Sequence, residues 1–481
     1  MEILLIVKPR AYYDSVTLMA ASQQVAGRPG VAQAVLVMGT PHNKALLEDA
    51  GLAAAGVAAA APDDLIIAIQ AADSQTARQA ADAAEAALSR KADAGGDSGT
   101  PAPRTLRSAL KQAPAANLAL ISLPAEFAAA EARQALLNGL HVLLFSDNIE
   151  LAAEVELKRL ARERGLLCMG PDCGTALIGG VALGFANVVR PGPIGIVSAS
   201  GTGAQEVATL IDRAGGGVSQ IIGTGGRDLA PEVGGLMMLS GIELLARDPA
   251  TATILLISKP PDPAVAATVL RALADSGKRA VVCFLGYAGA APAGVELAST
   301  LYAAAGLALG APAGLDEESL RYQAARLSHL MPAQPCRLRG LFSGGTLCSE
   351  ARLELDRLGV LEHSDLVDYG DDRYTQGRPH PMIDWSLRLA ELRRVAADPR
   401  TGVILLDVVL GYGAHPDPAS LLCPILAGIK LPVIIYVCGS DGDPQGRSRQ
   451  IARLADYGAI VAGSNLEAAR MAGLIIKEGR Q

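Results

Sequence analysis

The feature that most constrains this chain is an internal repetition of a strand–turn–helix pattern. Between residues 195 and 286 the segments GIVSASGTGAQE, IIGTGGRD, ILLISK and VVCFLG follow one another; between 340 and 439 GLFSGGTLCSE, VDYGDD, VILLDV and VIIYVCG follow in the same order. The interval from Ser200 to Ser258 matches that from Ser343 to Asp407 to within a few residues. Short apolar runs that alternate with helical patterns make buried parallel strands. The repetition therefore predicts two α/β domains of one doubly wound, flavodoxin-like design, residues 191–333 and 334–481, joined near MPAQP. A chain of 481 residues is also too long for a single core.

Upstream, NLALISLP, HVLLFSD and GLLCMGPD alternate with helical patterns, which predicts a further parallel, Rossmann-like unit over residues 105–190. Residues 92–104 concentrate Gly, Pro, Ser and Asp and read as a linker. Before it, residues 1–91 begin with the strand MEILLIVK, a helix from Asp14 to about Ala26 and a second strand from Val31 to Met38, a small α/β unit.

The chemistry in the repeat lies in its turns. A strand that ends in Ser-Gly-Thr and passes straight into a helix leaves the first backbone N–H groups without intrahelical partners. Those donors and the positive end of the helix dipole hold phosphate or carboxylate, and glycine lets the anion approach. Ser200, Gly201, Thr202 and Gly203 form one such turn and Ser343, Gly344, Gly345 and Thr346 the other, so the two are expected to be halves of one anion site. Helix capping by Ser or Thr with close glycine packing is the plain alternative for either turn alone. In the next loop of the first repeat, Gly225, Gly226 and Arg227 offer a guanidinium for bidentate anion binding, or a surface ion pair with Asp228.

Other loops carry weaker signals. Ser146, Asp147 and Asn148, and Asp172, Cys173 and Gly174, fall at the carboxyl edge of the predicted sheet, where open sheets bind ligands and where ordinary turns also use these residues. Gly370 lies in a further possible ligand loop, and Asp371, Asp372 and Asp407 either supply oxygen ligands to Mg²⁺ or cap loops. His380, with Arg378 beside it, and His415 lie in loops where acid–base chemistry can occur, although neither histidine shows a partner. Cys173 is a reactive thiol or, as is commoner, a small buried side chain.

Several classes are disfavoured. A formal charge of −7 supplies no basic field for a nucleic-acid backbone. Seven scattered cysteines without CxxC or zinc spacing fit reduced cytosolic thiols, and no metal constellation stands out. No signal peptide and no apolar stretch of about 18 residues are present, so the chain is expected in the cytoplasm. Neither a complete GxGxxG fingerprint nor a GxxxxGK[ST] loop occurs, so ATP is not demanded.

The strings MGPDCGT, GIVSASGTG, IIGTGGRDL, ISKPP, LFSGGTLC and GRPHPMID resemble the FdrA family, relatives of succinyl-CoA synthetase and other NDP-forming acyl-CoA ligases, along essentially the whole chain. The resemblance implies a CoA-binding-type domain over 105–190 and two succinyl-CoA synthetase-like domains after it, with CoA as a cofactor to consider. It also exposes a departure. The ligases carry a phosphohistidine in a Gly-His-Ala-Gly loop after the strand matching VVCFLG, and here the stretch reads GYAGAAPAGVEL. Their supporting glutamate falls where this chain has Ser258-Lys259-Pro260-Pro261, and no ATP-grasp domain is present. FdrA-like proteins are associated with carbamoyltransferases of purine breakdown. The resemblance thus implies a subunit of a homo- or hetero-oligomeric carbamoyltransferase, acting on oxamate or a related small anionic N-carbamoyl compound with phosphate and carbamoyl phosphate. An acyl-CoA ligase-like thioester enzyme is the alternative, and a scaffold or metabolite-sensing subunit a third.

Overall fold

A computed structural model describes residues 2–11, 13, 15–40, 43–44, 47–48, 51–52, 56–93, 103–311, 314–332, 336–375 and 379–479. The chain divides into two compact units, Met1–Ala109 with Gln376–Pro379 and Leu110–Thr375 with His380–Gln481. In the first unit the apolar runs of the sequence form β1 (Glu2–Lys8), β2 (Val31–Met38) and β3 (Leu65–Ala71), an antiparallel sheet in the order β1-β3-β2. Period-two alternation sends Leu4 and Ile6 towards the helices Ser15–Ala26 and Ser74–Asp93, and Leu5 and Val7 towards a second cluster around Leu47, Leu52 and Val57. Covered on both faces, central β3 is apolar along nearly its whole length and almost entirely buried.

Among the described residues the second unit contains three sheets. β4 (Leu118–Ile121), β5 (His141–Leu144) and β6 (Cys168–Met169) pair in parallel, with the helices Ala125–Leu137 and Leu151–Glu163 as crossovers. β7 (Thr175–Ile178) and β8 (Val181–Gly184) form a hairpin that joins the following sheet, because β7 pairs antiparallel with β10. That sheet is completed by β9 (Pro191–Ser198), β10 (Val218–Gly223), β11 (Thr253–Ser258), β12 (Arg279–Phe284) and β13 (Val295–Leu297), in the order β13-β12-β11-β9-β10-β7-β8. The last sheet is β15-β14-β16-β17-β18, from β14 (Arg337–Phe342), β15 (Ser364–Asp368), β16 (Thr401–Val409), β17 (Val433–Cys438) and β18 (Ile460–Ala462).

Both large sheets follow the flavodoxin-like order, with the first strand of each repeat between the second and the third. Connections leave such a sheet in opposite directions on either side of its first and third strands, and the crevice between them is where this architecture takes ligands. In the two repeats those pairs are β9 with β11 and β14 with β16. β11 and β16 are buried along their full lengths, as strands covered on both faces must be. Both glycine turns follow the first strand of their repeat and so lie at this crevice.

Candidate active site

Ser200 is the N-cap of the helix Gly201–Arg213: its Oγ accepts a hydrogen bond from the Gly203 N–H at 2.9 Å. The helix Gly345–Arg357 begins instead at Gly344, which has no side chain to cap with. The two helix starts meet. Ser200 Oγ and Thr346 Oγ1 are 2.5 Å apart, and a methyl group placed on Gly344 would lie 3.0 Å from Thr202 Cγ2. Among the described residues no acceptor is recorded for the backbone N–H groups of Gly201, Thr202, Gly345 and Thr346. The sequence-predicted pair is thus brought together, with four first-turn donors left open.

Part of the second turn is already occupied. The Asp407 carboxylate accepts from Ser343 N at 2.8 Å, from Gly344 N at 2.8 Å and from Ser343 Oγ at 3.0 Å. Arg388, only 1% exposed, donates to the same carboxylate at 2.7 Å and stacks over the Trp385 ring. Ser343, Gly344 and Asp407 therefore form an internal anion–donor pair; they are a plug rather than an open cradle or a magnesium ligand set.

Lys259 approaches what remains. A methyl group on Gly345 would lie 3.3 Å from Lys259 Nζ and 2.5 Å from Asp368 Oδ2, so an exposed ammonium and a carboxylate flank the second helix start. Burial raises Asp368 above the ordinary carboxylate range, although the Gly370 N–H donates to it and Lys259 lies nearby. Sequence reasoning saw at Lys259 only the loss of a glutamate; the lysine itself was the available signal.

Around this centre lie several predicted residues. His380 packs on the Phe185 ring and lies beside Gly370; its Nδ1 accepts from the Met382 N–H at 3.3 Å. Burial, reinforced by the charge of Arg388, lowers it to about 4, so at neutral pH it is uncharged and offers Nε2–H as a donor. Arg378 lies outside the described residues. Asp172 is exposed to the cleft yet closely ringed by protein; it is pushed up to about 7, first by loss of solvation and then by the charges of Asp147 and Asp372. Asp372 is raised too, by burial and then by Asp147 and Asp371. Asp371 pairs with exposed Arg373.

Other predicted residues have structural tasks. Arg227 does not face an open anion site: its Nε donates to Glu154 at 2.8 Å and its Nη2 to the Ile149 carbonyl at 2.6 Å. Its neighbour Asp228 pairs with fully buried Lys158 and accepts from Met237 N and Met238 N at the start of the helix Leu236–Arg247. Gly225, at φ +85°, packs against the Pro171 carbonyl, whereas Gly226 borders open space. Ser146 Oγ accepts from Leu123 N, and its carbonyl accepts from Asp172 N; Asn148 and Asp172 both adopt the left-handed conformation these short polar side chains tolerate. Gly174 accepts from Phe185 N. Cys173 is buried and pushed up to about 12 by that burial, the opposite of a reactive thiol. His415 interacts with Met382, Asp417 and Gln445, where it organises the loop before the helix Pro418–Leu426.

Similarity to known proteins runs through both halves of this crevice. Residues 189–286 match the CoA binding domain family and residues 341–475 the CoA-ligase family, so each match contains one glycine turn. Residues 1–103 match the family described as AllF, heavy metal-associated domain. The uncharacterized protein YahF of Escherichia coli (strain K12) is 41% identical, with all of both chains covered. The chain belongs to the YahF family. This family is CoA-ligase-like. The mitochondrial succinate–CoA ligase [ADP-forming] subunit alpha-2 of Trichomonas vaginalis is 33% identical over 34% of this chain and 52% of its own. The ADP-forming sulfoacetate-CoA ligase subunit SauD of Bilophila wadsworthia is 27% identical over 34% of this chain and 56% of its own. The match thus spans about half the length of these ligase subunits.

The CoA binding domain match falls on 189–286, the first repeat, and meets the 105–190 segment only at its end. The full-length relative is YahF, and no matched protein is named a carbamoyltransferase among those described above. Among its described residues the first domain offers no cluster for the metal that its family's description names. The first cysteine of the chain is Cys168, so residues 1–103 contain no thiolate, and no His, Cys, Asp and Glu cluster suited to a metal occurs among the described residues. No helix among the described residues is long and apolar enough to cross a membrane.

Proposed function

We propose that this YahF-family chain is a ligase-like subunit that makes or consumes an acyl phosphate, with the phosphate held by backbone donors and Lys259 instead of by a covalent histidine. The supporting observation is the junction of the helix starts at Ser200 and Thr346, with open N–H groups on both sides and the Lys259 ammonium beside Gly345. Such preorganised donors stabilise charge that develops on a phosphate or on the attacked carbonyl, each well-placed one contributing about 3–4 kcal/mol. In the forward sense, CoA thiolate attacks the acyl carbon, the carbon–oxygen bond to phosphate breaks, and inorganic phosphate leaves into the paired helix starts. The two CoA-related family matches support CoA as acyl acceptor.

A second reading is carbamoyl transfer, in which inorganic phosphate attacks an N-carbamoyl carbon, the carbon–nitrogen bond breaks, and an amide such as oxamate leaves with a proton. Gly286-Tyr287-Ala288-Gly289 favours it, because Tyr287 replaces the histidine that ligase chemistry would phosphorylate. In this reading His380, kept neutral, donates a hydrogen bond to the carboxylate-bearing substrate.

Calorimetric titration of phosphate tests the shared core. Lys259→Met should weaken phosphate binding about tenfold or more and leave the melting temperature unchanged, because Lys259 is exposed. Unaltered affinity would remove Lys259 from the site. Product analysis then separates the readings: phosphate with an acyl-CoA yields an acyl phosphate in the first, and phosphate with an N-carbamoyl acid yields carbamoyl phosphate in the second. Neither product, with co-encoded partner proteins present, would sink both.

A further inference from the structure

We propose that β1 is a self-association edge, on which the β1 strand of a second copy of this chain pairs antiparallel about Leu5. The three-stranded sheet of the first unit has two edges, and they are finished differently. On β2 the register shifts between Val31 and Gln33, the Leu36 N–H donates to Ser22 Oγ of the adjacent helix at 2.9 Å, and Asn43 Nδ2 donates to the Met38 carbonyl at 2.8 Å. A bulge and side chains bonded to the outer backbone are ways in which proteins close an edge.

Among the described residues β1 has none of these. It pairs with β3 in unbroken register from Glu2↔Ala71 to Lys8↔Leu65, and among the described residues no hydrogen bond is recorded for its outer backbone groups. The strand contains five consecutive apolar residues, no proline and no glycine, and none of its residues is buried; Ile3 is 40% exposed. A long, regular, apolar edge left in this form is a template for another strand.

The sequence of the edge selects its occupant. In Glu2-Ile3-Leu4-Leu5-Ile6-Val7-Lys8, an antiparallel pairing centred on Leu5 sets Glu2 opposite Lys8 of the second copy, where it would join the exposed pair that Lys8 makes with Glu85 at 2.9 Å, and Lys8 opposite its Glu2. Ile3 then opposes Val7, Leu4 opposes Ile6 and Leu5 opposes itself. Every position meets a complementary one, as a two-fold interface requires. Pairing would also extend the apolar face built by Leu4 and Ile6 and the opposite face built by Leu5 and Val7 into one six-stranded sheet.

Sedimentation velocity and disulfide trapping on the full chain test this. Glu2→Lys places like charges opposite each other twice per dimer, as does Lys8→Glu, so each should weaken self-association roughly tenfold. An equimolar mixture of the two variants restores opposite charges at both ends and should associate as wild type does. Leu5→Cys should form a disulfide-linked dimer on oxidation, because directly opposed residues fall within disulfide reach; all seven native cysteines are buried and give little background. Far-ultraviolet circular dichroism checks that each variant is folded. A monomeric wild type, no rescue on mixing, or trapping of Leu5→Cys only to a different protein would overturn the proposal.

Discussion

The two glycine turns share a sequence pattern and a place in their sheets, yet they have been finished in opposite ways. At the first, Ser200 caps its helix and the uncharged Ser258 ends the neighbouring β11. At the second, the equivalent of Ser258 is Asp407, whose carboxylate consumes the Ser343 and Gly344 donors. Lys259, the residue after Ser258, then reaches the helix start of the other repeat beside Gly345. Duplication thus preserved the strand–turn–helix geometry while the charges diverged: one repeat supplies its own anion, and the other lends a cation across the crevice. The two repeats thus contribute unequally to the junction of the helix starts.

The largest test of this contrast is removal of the plug. Asp407→Ala leaves the Arg388 guanidinium buried without its counter-ion, and loss of one partner of a buried pair costs about 3–5 kcal/mol. Chemical denaturation should show that loss, and Asp407→Ala combined with Arg388→Met should recover much of it. A cost below about 1 kcal/mol would mean that the carboxylate is not structural, and the asymmetry between the turns would vanish.

A second test concerns equivalent glutamates one helical turn further on. Glu206 and Glu350 are both buried, bridged by Asn465, which donates to Glu206 Oε1 from its backbone at 3.3 Å and to Glu350 Oε2 from its side chain at 2.8 Å. Burial, with repulsion from Glu206 next, raises Glu350 from 4.5 to about 8. Between those values the folded chain binds the extra proton and the unfolded chain does not. Its stabilising contribution is therefore full below about pH 4.5 and is lost as pH rises through about 8, by at most about 1.4 kcal/mol per pH unit. Urea midpoints measured from pH 5 to pH 9 should fall with pH in the wild type and less steeply in Glu350→Gln. Equal slopes would show that the repeats do not share a protonated acid pair.

How far the sequence anticipated these features follows from the range of the interactions. The strands and the glycine turns are local patterns of apolar runs and Ser-Gly pairs, and the repeat made it possible to infer that Ser200 and Thr346 belong together. Asp407 was legible as a Mg²⁺ ligand or a capping carboxylate at the position equivalent to Ser258, but its bonds to Ser343, 64 residues away, are made only by the fold. For Arg227 the choice between an anion and an ion pair stayed open for the same reason: Glu154, which claims it, lies 73 residues earlier. His380 was singled out in a loop without a partner, and the burial beside Phe185 and Arg388 that lowers it to about 4 is a product of tertiary packing. The β7–β8 hairpin, assigned by pattern to the 105–190 unit, joins the next sheet because β10 offers an edge, a choice made by tertiary pairing.

The smallest predicted effect bears most directly on whether the two turns act as one site. Ser200→Ala removes the acceptor for Gly203 N and should cost about 1 kcal/mol, the usual worth of a helix cap. Thr346→Val removes no cap, only the hydroxyl 2.5 Å from Ser200 Oγ. If that contact joins the helix starts, the double variant should be more stable than the sum of the single losses implies, with a coupling of about 0.5–1.5 kcal/mol in denaturation. Phosphate should add a second signature. A shared ligand position makes the losses of affinity non-additive in the same cycle, because either hydroxyl alone can orient only one side of the anion. Additive losses in both measurements would mean that the two starts touch without cooperating, and the phosphate would then have to be sought at one helix alone.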